Sequence, residues 1–494
     1  MEQYKINVSN IRAHKFNNYI ELYQHNFLDQ HVYYNKCVCN EYSALINRHL
    51  LKPVDGFNPK LAETILEKQR TLFLEHLNNN IVVKSTHQEV MQNTRKCIYS
   101  RYNSAYRKII NTRSIPNEYP TLSEAFVKYE KWSLEKINNG KSPRIIQHRS
   151  YEYLHQLKSF ILPISKIFKQ SNNLSYNQPI NTIFMKYHKN HEQIKILQEQ
   201  WSKFKQPCCL CLDMEAFDGH VSVPLLESEH LTWESFYNKS PTMLKCLKIL
   251  LSKQINNIGI TKNGIKYNKN GSRLSGEFTT SDGNSINNYY MLRSYVQDLN
   301  AYINVNGDDS LIMIEQTDIN KLKHLDYFRI FGMICKQDRI AYTFEDINFC
   351  QCNPVSINGV YRFVKAPIRT MSRSTICPSQ YIYCIDRYLA GIGLCELASN
   401  VGVPILQNFS LRLLVDSGFT KPLGKIDKNF ALYTNLPIIE IQQIDYTTRL
   451  SFENAFGISP IEQINIENSI LTGLPTIYPK LYNFIKKYSK FHLH

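Results

Sequence analysis

An α+β fold is predicted by three features of the sequence: a largely helical stretch up to about Trp201, a few short apolar strands between Cys208 and Ile314, and a mostly helical remainder beyond about Cys352. Cys208-Cys209-Leu210-Cys211-Leu212 reads as one strand, ending at Asp213. Ala301-Tyr302-Ile303-Asn304-Val305 and Leu311-Ile312-Met313-Ile314 flank Asn306-Gly307-Asp308-Asp309. Two apolar runs joined by a turn containing Asn-Gly read as a β-hairpin. Between these strands a helix is expected from about Ser281 to Leu299, while the polar stretches 170–181 and 262–271 read as loops.

The 494 residues suffice for a large core and two to four subdomains, and ordinary apolar and charged fractions exclude general disorder. No internal repeat or long low-complexity linker divides the chain. Lys and Arg outnumber Asp and Glu by 58 to 42, a net charge of +16. Such a balance attracts polyanions, nucleic acid first. Lysine-rich composition alone, or an anionic membrane surface, also fits it. The 32 Tyr and 24 Phe could stack on bases, but most serve a core.

Thirteen cysteines are scattered, and Cys208/Cys211 have C-x-x-C spacing without a second pair to complete a zinc site. They are expected to be reduced and mostly buried. Met1-Glu2-Gln3-Tyr4-Lys5 opens no apolar signal stretch, and no run reaches transmembrane length. The expectation is a cytosolic protein whose membrane association, if any, is peripheral.

The acidic residues carry the chemistry. Nucleotidyl transfer uses two divalent cations about 3.5–4 Å apart, and carboxylates must hold them. Asp213 ends one strand and Asp308 tips a hairpin, with Asp309 beside it; on neighbouring strands these carboxylates would converge. Alone, Gly307-Asp308-Asp309 is equally well a solvated turn. Asp213 to Asp218 also reads as a helix start with Asp213 as N-cap and Glu215 in the first turn. In Ser275-Gly276-Glu277-Phe278-Thr279-Thr280-Ser281-Asp282-Gly283-Asn284, Thr280 and Asn284 share a helix face that could meet a ribose, or simply belong to a capped helix.

Together and in this order the three blocks resemble the palm motifs of viral RNA-dependent RNA polymerases. Asp213-x4-Asp218 resembles motif A, Ser275-Gly276-x3-Thr280-x3-Asn284 motif B, and Gly307-Asp308-Asp309 motif C. Further blocks resemble tombusviruses and their relatives. Phe126-Val127-Lys128-Tyr129-Glu130-Lys131 resembles the basic opening of the fingertip region, and Lys141 to Arg149 resembles motif F. Gly271-Ser272-Arg273 precedes motif B as in that family. Phe331 to Lys336 resembles motif D, Phe349-Cys350-Gln351 motif E, and Gly391 to Gln407 the thumb. The resemblance covers about residues 120–415.

It implies a right-hand polymerase of fingers, palm and thumb, the palm being a small antiparallel sheet backed by helices. The implied division is 1–205 for the N-terminal region and fingers with motif F, 206–224 for palm with motif A, 225–270 for a fingers insertion, 271–355 for palm with motifs B to E, and 356–494 for the thumb and C-terminal region. Asp213, Asp308 and Asp309 are the implied metal and catalytic residues, for Mg²⁺ with Mn²⁺ as substitute. Lys336 is the implied proton donor or charge balance for pyrophosphate. Asp218, Thr280 and Asn284 face the ribose, and Ser275 and Gly276 form a loop near the template base. Lys141, Arg144 and Arg149 line the nucleotide channel, and Lys128, Lys131 and Arg273 contact RNA. Cys350 is expected to pack rather than react. The partners implied are RNA template and product, ribonucleoside triphosphates, and viral or host replication proteins. The setting is the host cytoplasm, with peripheral attachment to replication membranes, and synthesis starts without a primer.

The chain departs from the family at Gly219-His220, where His or Gln-His is common, and at Glu277, where Asp is common. Two other readings compete. A reverse transcriptase would place a bulky aromatic where Asp218 stands. A non-catalytic RNA-binding scaffold would have no need of Asp213, Asp308 and Asp309.

Overall fold

A four-stranded antiparallel sheet forms the centre of the chain. Its strands are β1 (Pro207–Met214), β2 (Tyr302–Asn306), β3 (Asp309–Glu315) and β4 (Cys335–Ala341), in the order β2-β3-β1-β4. The computed structural model describes residues 4–7, 19–21, 28–75, 77, 82–113, 116–119, 121–423 and 440–471.

β1 is apolar from Cys208 to Leu212 because both its faces are covered there. Cys208, Leu210, Leu212 and Met214 enter one core; Cys209 and Cys211 enter the other. The strand period of two therefore sets Cys208 and Cys211 on opposite faces, so their C-x-x-C spacing does not bring the sulfurs together. On the first face lies helix α1 (Thr280–Val296), buried from Asp282 to Val296. Tyr289, Tyr290, Leu292 and Tyr295 of α1 pack with Phe73, Phe168, Phe184 and Trp233. A helix buried all round needs internal partners for its polar side chains, and α1 spends several on the site described below. On the second face Ile194 and Leu197 of helix Asn190–Trp201 pack with Phe344, Ile347 and Phe349.

A second sheet pairs, in order, strands Tyr4–Asn7, Lys266–Asn270, Asn256–Thr261, Ser123–Val127 and Ile145–His148. This corrects the expectation of a loop over 262–271. Asn263-Gly264 is a turn, with Gly264 at φ +94°, and the chain returns as a strand burying Tyr267 and Lys269. The polar letters hid this: Lys269 is buried because its ammonium donates to the carbonyls of His49 (2.8 Å), Leu51 (3.1 Å) and Gly219 (2.9 Å). The 170–181 stretch is loop-like but contains a two-residue pairing of Leu174–Ser175 with Gln178–Pro179.

Beyond the central sheet, hairpin Cys352–Ile357/Val360–Lys365 leads into helices Pro367–Ser374, Ile385–Asn400, Leu406–Asp416, Tyr446–Phe456 and Pro460–Leu471. Val355, Leu389, Val403, Leu406 and Phe452 form their core. The α+β expectation holds. Among the described residues no helix is long and apolar enough to cross a membrane.

Candidate active site

Asp213 lies one residue from the end of β1. Its register partners are Asp309 on β3 and Lys336 on β4, so it is flanked on both sides of the sheet. The β2–β3 link is the two-residue turn Gly307-Asp308 between the paired Asn306 and Asp309. Gly307 sits at φ +71°, where nothing obstructs a Cβ, so its glycine is a conformational requirement. Helix α1 fixes the turn: the Gly307 N–H donates to Ser285 Oγ (2.8 Å), and Asn288 Nδ2 donates to the carbonyls of Gly307 (3.1 Å) and Asp308 (3.2 Å).

The Asp213 and Asp308 side chains line a cavity of about 270 Å³. Both residues are exposed, whereas Asp309 is half-buried. The pKa of Asp213 is raised by partial loss of water and by the Asp308 charge. That of Asp309 is pushed up to about 7, by burial first and then by Asp308, against a hydrogen bond with Cys350. Burial first, and the nearby Asp308 charge second, disfavour the ionised form of both carboxylates. Asp213 is not a helix cap: β1 runs through it, and the short helix Phe217–His220 starts after Ala216, whose φ is +47°.

The same cavity is lined by Lys128, Lys141, Arg144, Asp218, Ser275 and Lys336. Arg144 grips Glu130 through two hydrogen bonds (2.6 and 2.5 Å), and Lys128 pairs with the same carboxylate at 3.1 Å. Lys336 Nζ lies 2.5 Å from Glu215 Oε2. Ser275 Oγ donates to the Ile145 carbonyl (3.1 Å), and the Gly276 N–H donates to that of Gln147 (2.8 Å). The loop before α1 is thereby tied to the motif F strand. A Cβ on Gly276 would collide with the Gln147 carbonyl.

Asp218 is half-buried and accepts from Asn284 Nδ2 at 2.8 Å. Burial, then the Asp308 charge, push its pKa up to about 6 against the Asn284 hydrogen bond.

Four sequence-assigned residues stand elsewhere. Arg149 does not line the channel: its guanidinium is buried, pairing with Glu277 (2.5 Å) and donating to Asn257 Oδ1 (2.6 Å) and the Thr121 carbonyl (2.5 Å). Arg273 is likewise buried against Glu229, so RNA cannot reach it. Thr280 turns its hydroxyl to the carbonyls of Leu274 (2.8 Å) and Glu277 (3.0 Å) rather than toward a sugar. Lys131 donates to the Arg373 carbonyl (2.5 Å) and lines a separate cavity of about 540 Å³ with Tyr129, Cys350, Arg369 and Arg373. Cys350 packs there as a half-buried thiol, its Sγ 3.2 Å from Asn306 Nδ2.

Sequence reasoning missed Arg48 and His49, which line the active-site cavity from a segment without a motif. It also missed Glu130, Glu215, Ser285 and Asn288. Asn288 alone carried a signal, being four residues from Asn284 on one helix. Both family departures have physical partners. A side chain at Gly219 would strike the Arg48 carbonyl, and Glu277 is the counter-ion of Arg149.

Among the described residues no three His, Cys, Asp or Glu side chains close into a metal cage. The carboxylates nonetheless fit a divalent cation whose remaining ligands come from substrate phosphate and water, as Mg²⁺ prefers. Asp213 and Asp308 supply oxygens to one cavity at mutually unfavourable charge.

A profile of the family described as viral RNA dependent RNA polymerase matches residues 29–472. The chain belongs to that family, among its tombusvirus-like members. It is 33% identical over 365 residues to the RNA-directed RNA polymerase of Tobacco necrosis virus (strain A), covering 70% of this chain and 48% of that protein. It is 27% identical over 356 residues to that of Carnation mottle virus, covering 70% and 46%. With the putative RNA-directed RNA polymerase of Barley yellow dwarf virus (isolate MAV) it shares 28% identity over 375 residues, covering 73% and 42%. The chain thus spans about half the length of the curated relatives it matches.

Proposed function

We propose that this chain is an RNA-directed RNA polymerase that copies a viral RNA genome by two-metal nucleotidyl transfer. One observation carries the reading: Asp213 and Asp309 are register partners on adjacent strands, with Asp308 on the turn between β2 and β3, and Asp218, which Asn284 holds, lines the same cavity as Asp213 and Asp308. The N-terminal region and fingers take 1–205 and a fingers insertion 225–270, the palm 206–224 and 271–355, and the thumb and C-terminal region 356–494. The pairing of Asn256–Thr261 with Ser123–Val127 supports grouping the insertion with the fingers.

Asp213, Asp308 and Asp309 would hold two Mg²⁺ ions, whose chemistry there would be activation of the attacking hydroxyl and neutralisation of the leaving group. The residues of the chain do the rest. Lys141 and Arg144 bind the triphosphate, and Lys128 contacts RNA. Asp218 and Asn284 read the ribose 2′-hydroxyl, which favours ribonucleotides over the deoxynucleotides of a reverse transcriptase. The 3′-hydroxyl of the growing RNA gives its proton to water, its oxygen bonds to the α-phosphorus, the bond to pyrophosphate breaks, and Lys336 delivers a proton to the departing pyrophosphate and regains one from solvent. Rate enhancement comes mainly from positioning and electrostatics. The family resemblance supports primer-independent initiation. Recruitment by viral or host proteins to replication membranes in the host cytoplasm completes the proposal.

The test is direct. Purified protein, an RNA template, four ribonucleotides and Mg²⁺ or Mn²⁺ yield template-length labelled RNA, and deoxynucleotides do not replace ribonucleotides. Efficient DNA synthesis supports a reverse transcriptase instead, and RNA binding without synthesis supports a scaffold.

A further inference from the structure

Asn284 touches Asp218 on one side and Arg273 on the other. Its Nδ2 donates to Asp218 Oδ1 at 2.8 Å, and its Oδ1 accepts from Arg273 Nε at 3.1 Å. A guanidinium has only donors and a carboxylate only acceptors, so the two neighbours dictate the same amide orientation. Behind Arg273 stands Glu229, and both side chains are wholly buried. Glu229 also accepts from Trp233 Nε1 at 2.9 Å. Its carboxylate fills the space a Cβ would take on Gly283, the residue before Asn284. The Arg273 N–H donates to the Asp218 carbonyl at 2.7 Å, so one residue holds both members of the pair. A wholly buried ion pair is poor value as a source of stability alone.

We infer that Arg273 and Glu229 are positioning residues for sugar selection, acting through the Asn284 amide. The inference rests on the reading of Asp218 and Asn284 as ribose contacts. Arg273 occupies the amide oxygen, which leaves Asn284 only a hydrogen to offer the sugar. The free oxygen of Asp218 offers only acceptance. The 2′-hydroxyl therefore accepts from Asn284 and donates to Asp218, and a deoxyribose satisfies neither. Sites built this way reject the analogue lacking the hydroxyl far better than apolar pockets do. Without Arg273 the amide oxygen loses its partner, the amide turns, and the polarity of the pair is no longer fixed.

Full-length Arg273→Lys keeps a positive charge beside Glu229 and removes the Nε–H donor. Glu229→Gln keeps the shape and removes the counter-ion. The measurement is kcat/KM for a ribonucleoside triphosphate, its 2′-deoxy analogue and its 3′-deoxy analogue on one RNA template. Preference for ribose over 2′-deoxyribose is expected to fall about tenfold or more, with the ratio of ribose to 3′-deoxyribose unchanged. A parallel loss with all three substrates, or an unchanged 2′ preference, overturns the inference. If Arg273→Lys lacks a cooperative melt, Glu229→Gln decides by the same outcomes. Failure of the unsubstituted chain to make RNA is a different result, and it rejects the polymerase reading itself.

Discussion

Asp213 and Asp309 face each other across adjacent antiparallel strands, and Lys336 faces Asp213 from the other side. This register puts an acid, an acid and a base in one row across the sheet. Asp308 projects from the turn just beyond it, so its position depends on how firmly that turn is held. Ser285 and Asn288 of α1 do the holding.

Ser285→Ala should therefore act at a distance. It leaves the buried Gly307 N–H without an acceptor, a cost of about 1–3 kcal/mol. The expected outcome is a lower melting temperature together with a higher Mg²⁺ requirement for RNA synthesis. A variant that loses stability with unchanged metal dependence would show that the turn holds its shape unaided.

Lys336→Met should lower kcat by about a hundredfold if the lysine supplies a proton, with KM little changed. Steady-state kinetics against nucleotide concentration decide this. A raised KM at unchanged kcat would make Lys336 a phosphate anchor instead. Glu215→Gln is the companion variant, because it frees the ammonium from its 2.5 Å partner.

Two glycines should fail for different reasons. Gly307→Ala meets no obstruction and suffers only from its left-handed φ, about 1–2 kcal/mol. Gly276→Ala collides with the Gln147 backbone and must push the motif B loop off the motif F strand. Gly276→Ala is expected to be the less stable and less active of the two. Equal melting temperatures would contradict the close approach.

Buried histidines give the fold a pH dependence of known sign. Burial lowers the pKa of His155 from 6.5 to about 4, helped by His87 at 3.0 Å. Between those values the unfolded chain binds more protons, so this contribution is complete above pH 6.5 and is lost as pH falls toward 4. The elevated carboxyls of Asp218 and Asp309 act in the opposite sense, so the prediction concerns a difference. Relative to His155→Asn, the parent protein should lose on the order of 3 kcal/mol across that window. Urea unfolding of both proteins at pH 7 and pH 4.5 checks it; a constant difference would contradict it.

Much of the site was legible where chemistry and turn geometry coincide in a few consecutive letters. Asn306-Gly307-Asp308-Asp309 announces its hairpin, and the apolar run ending at Asp213 announces its strand. The pairing of Asp213 with Asp309 was not legible, since register across a separation of 96 residues leaves no local trace. Arg149 and Arg273 were misassigned for one reason: a basic residue in a basic motif reads as a phosphate ligand, while the buried Glu277 and Glu229 that claim them lie far away in sequence. The 262–271 strand was hidden by its polarity, because burial of Lys269 depends on three carbonyls from other segments. Arg48 reaches the cavity from a region without any pattern.

The most direct measurement is single-turnover extension of a pre-bound RNA by Asp308→Asn beside the parent protein, with RNA affinity measured on both. The substitution keeps the size of the side chain and removes its charge. The expected result is metal-dependent extension by the parent and a loss of about a thousandfold or more in the variant, at unchanged RNA affinity. Extension by Asp308→Asn at the parental rate would contradict it.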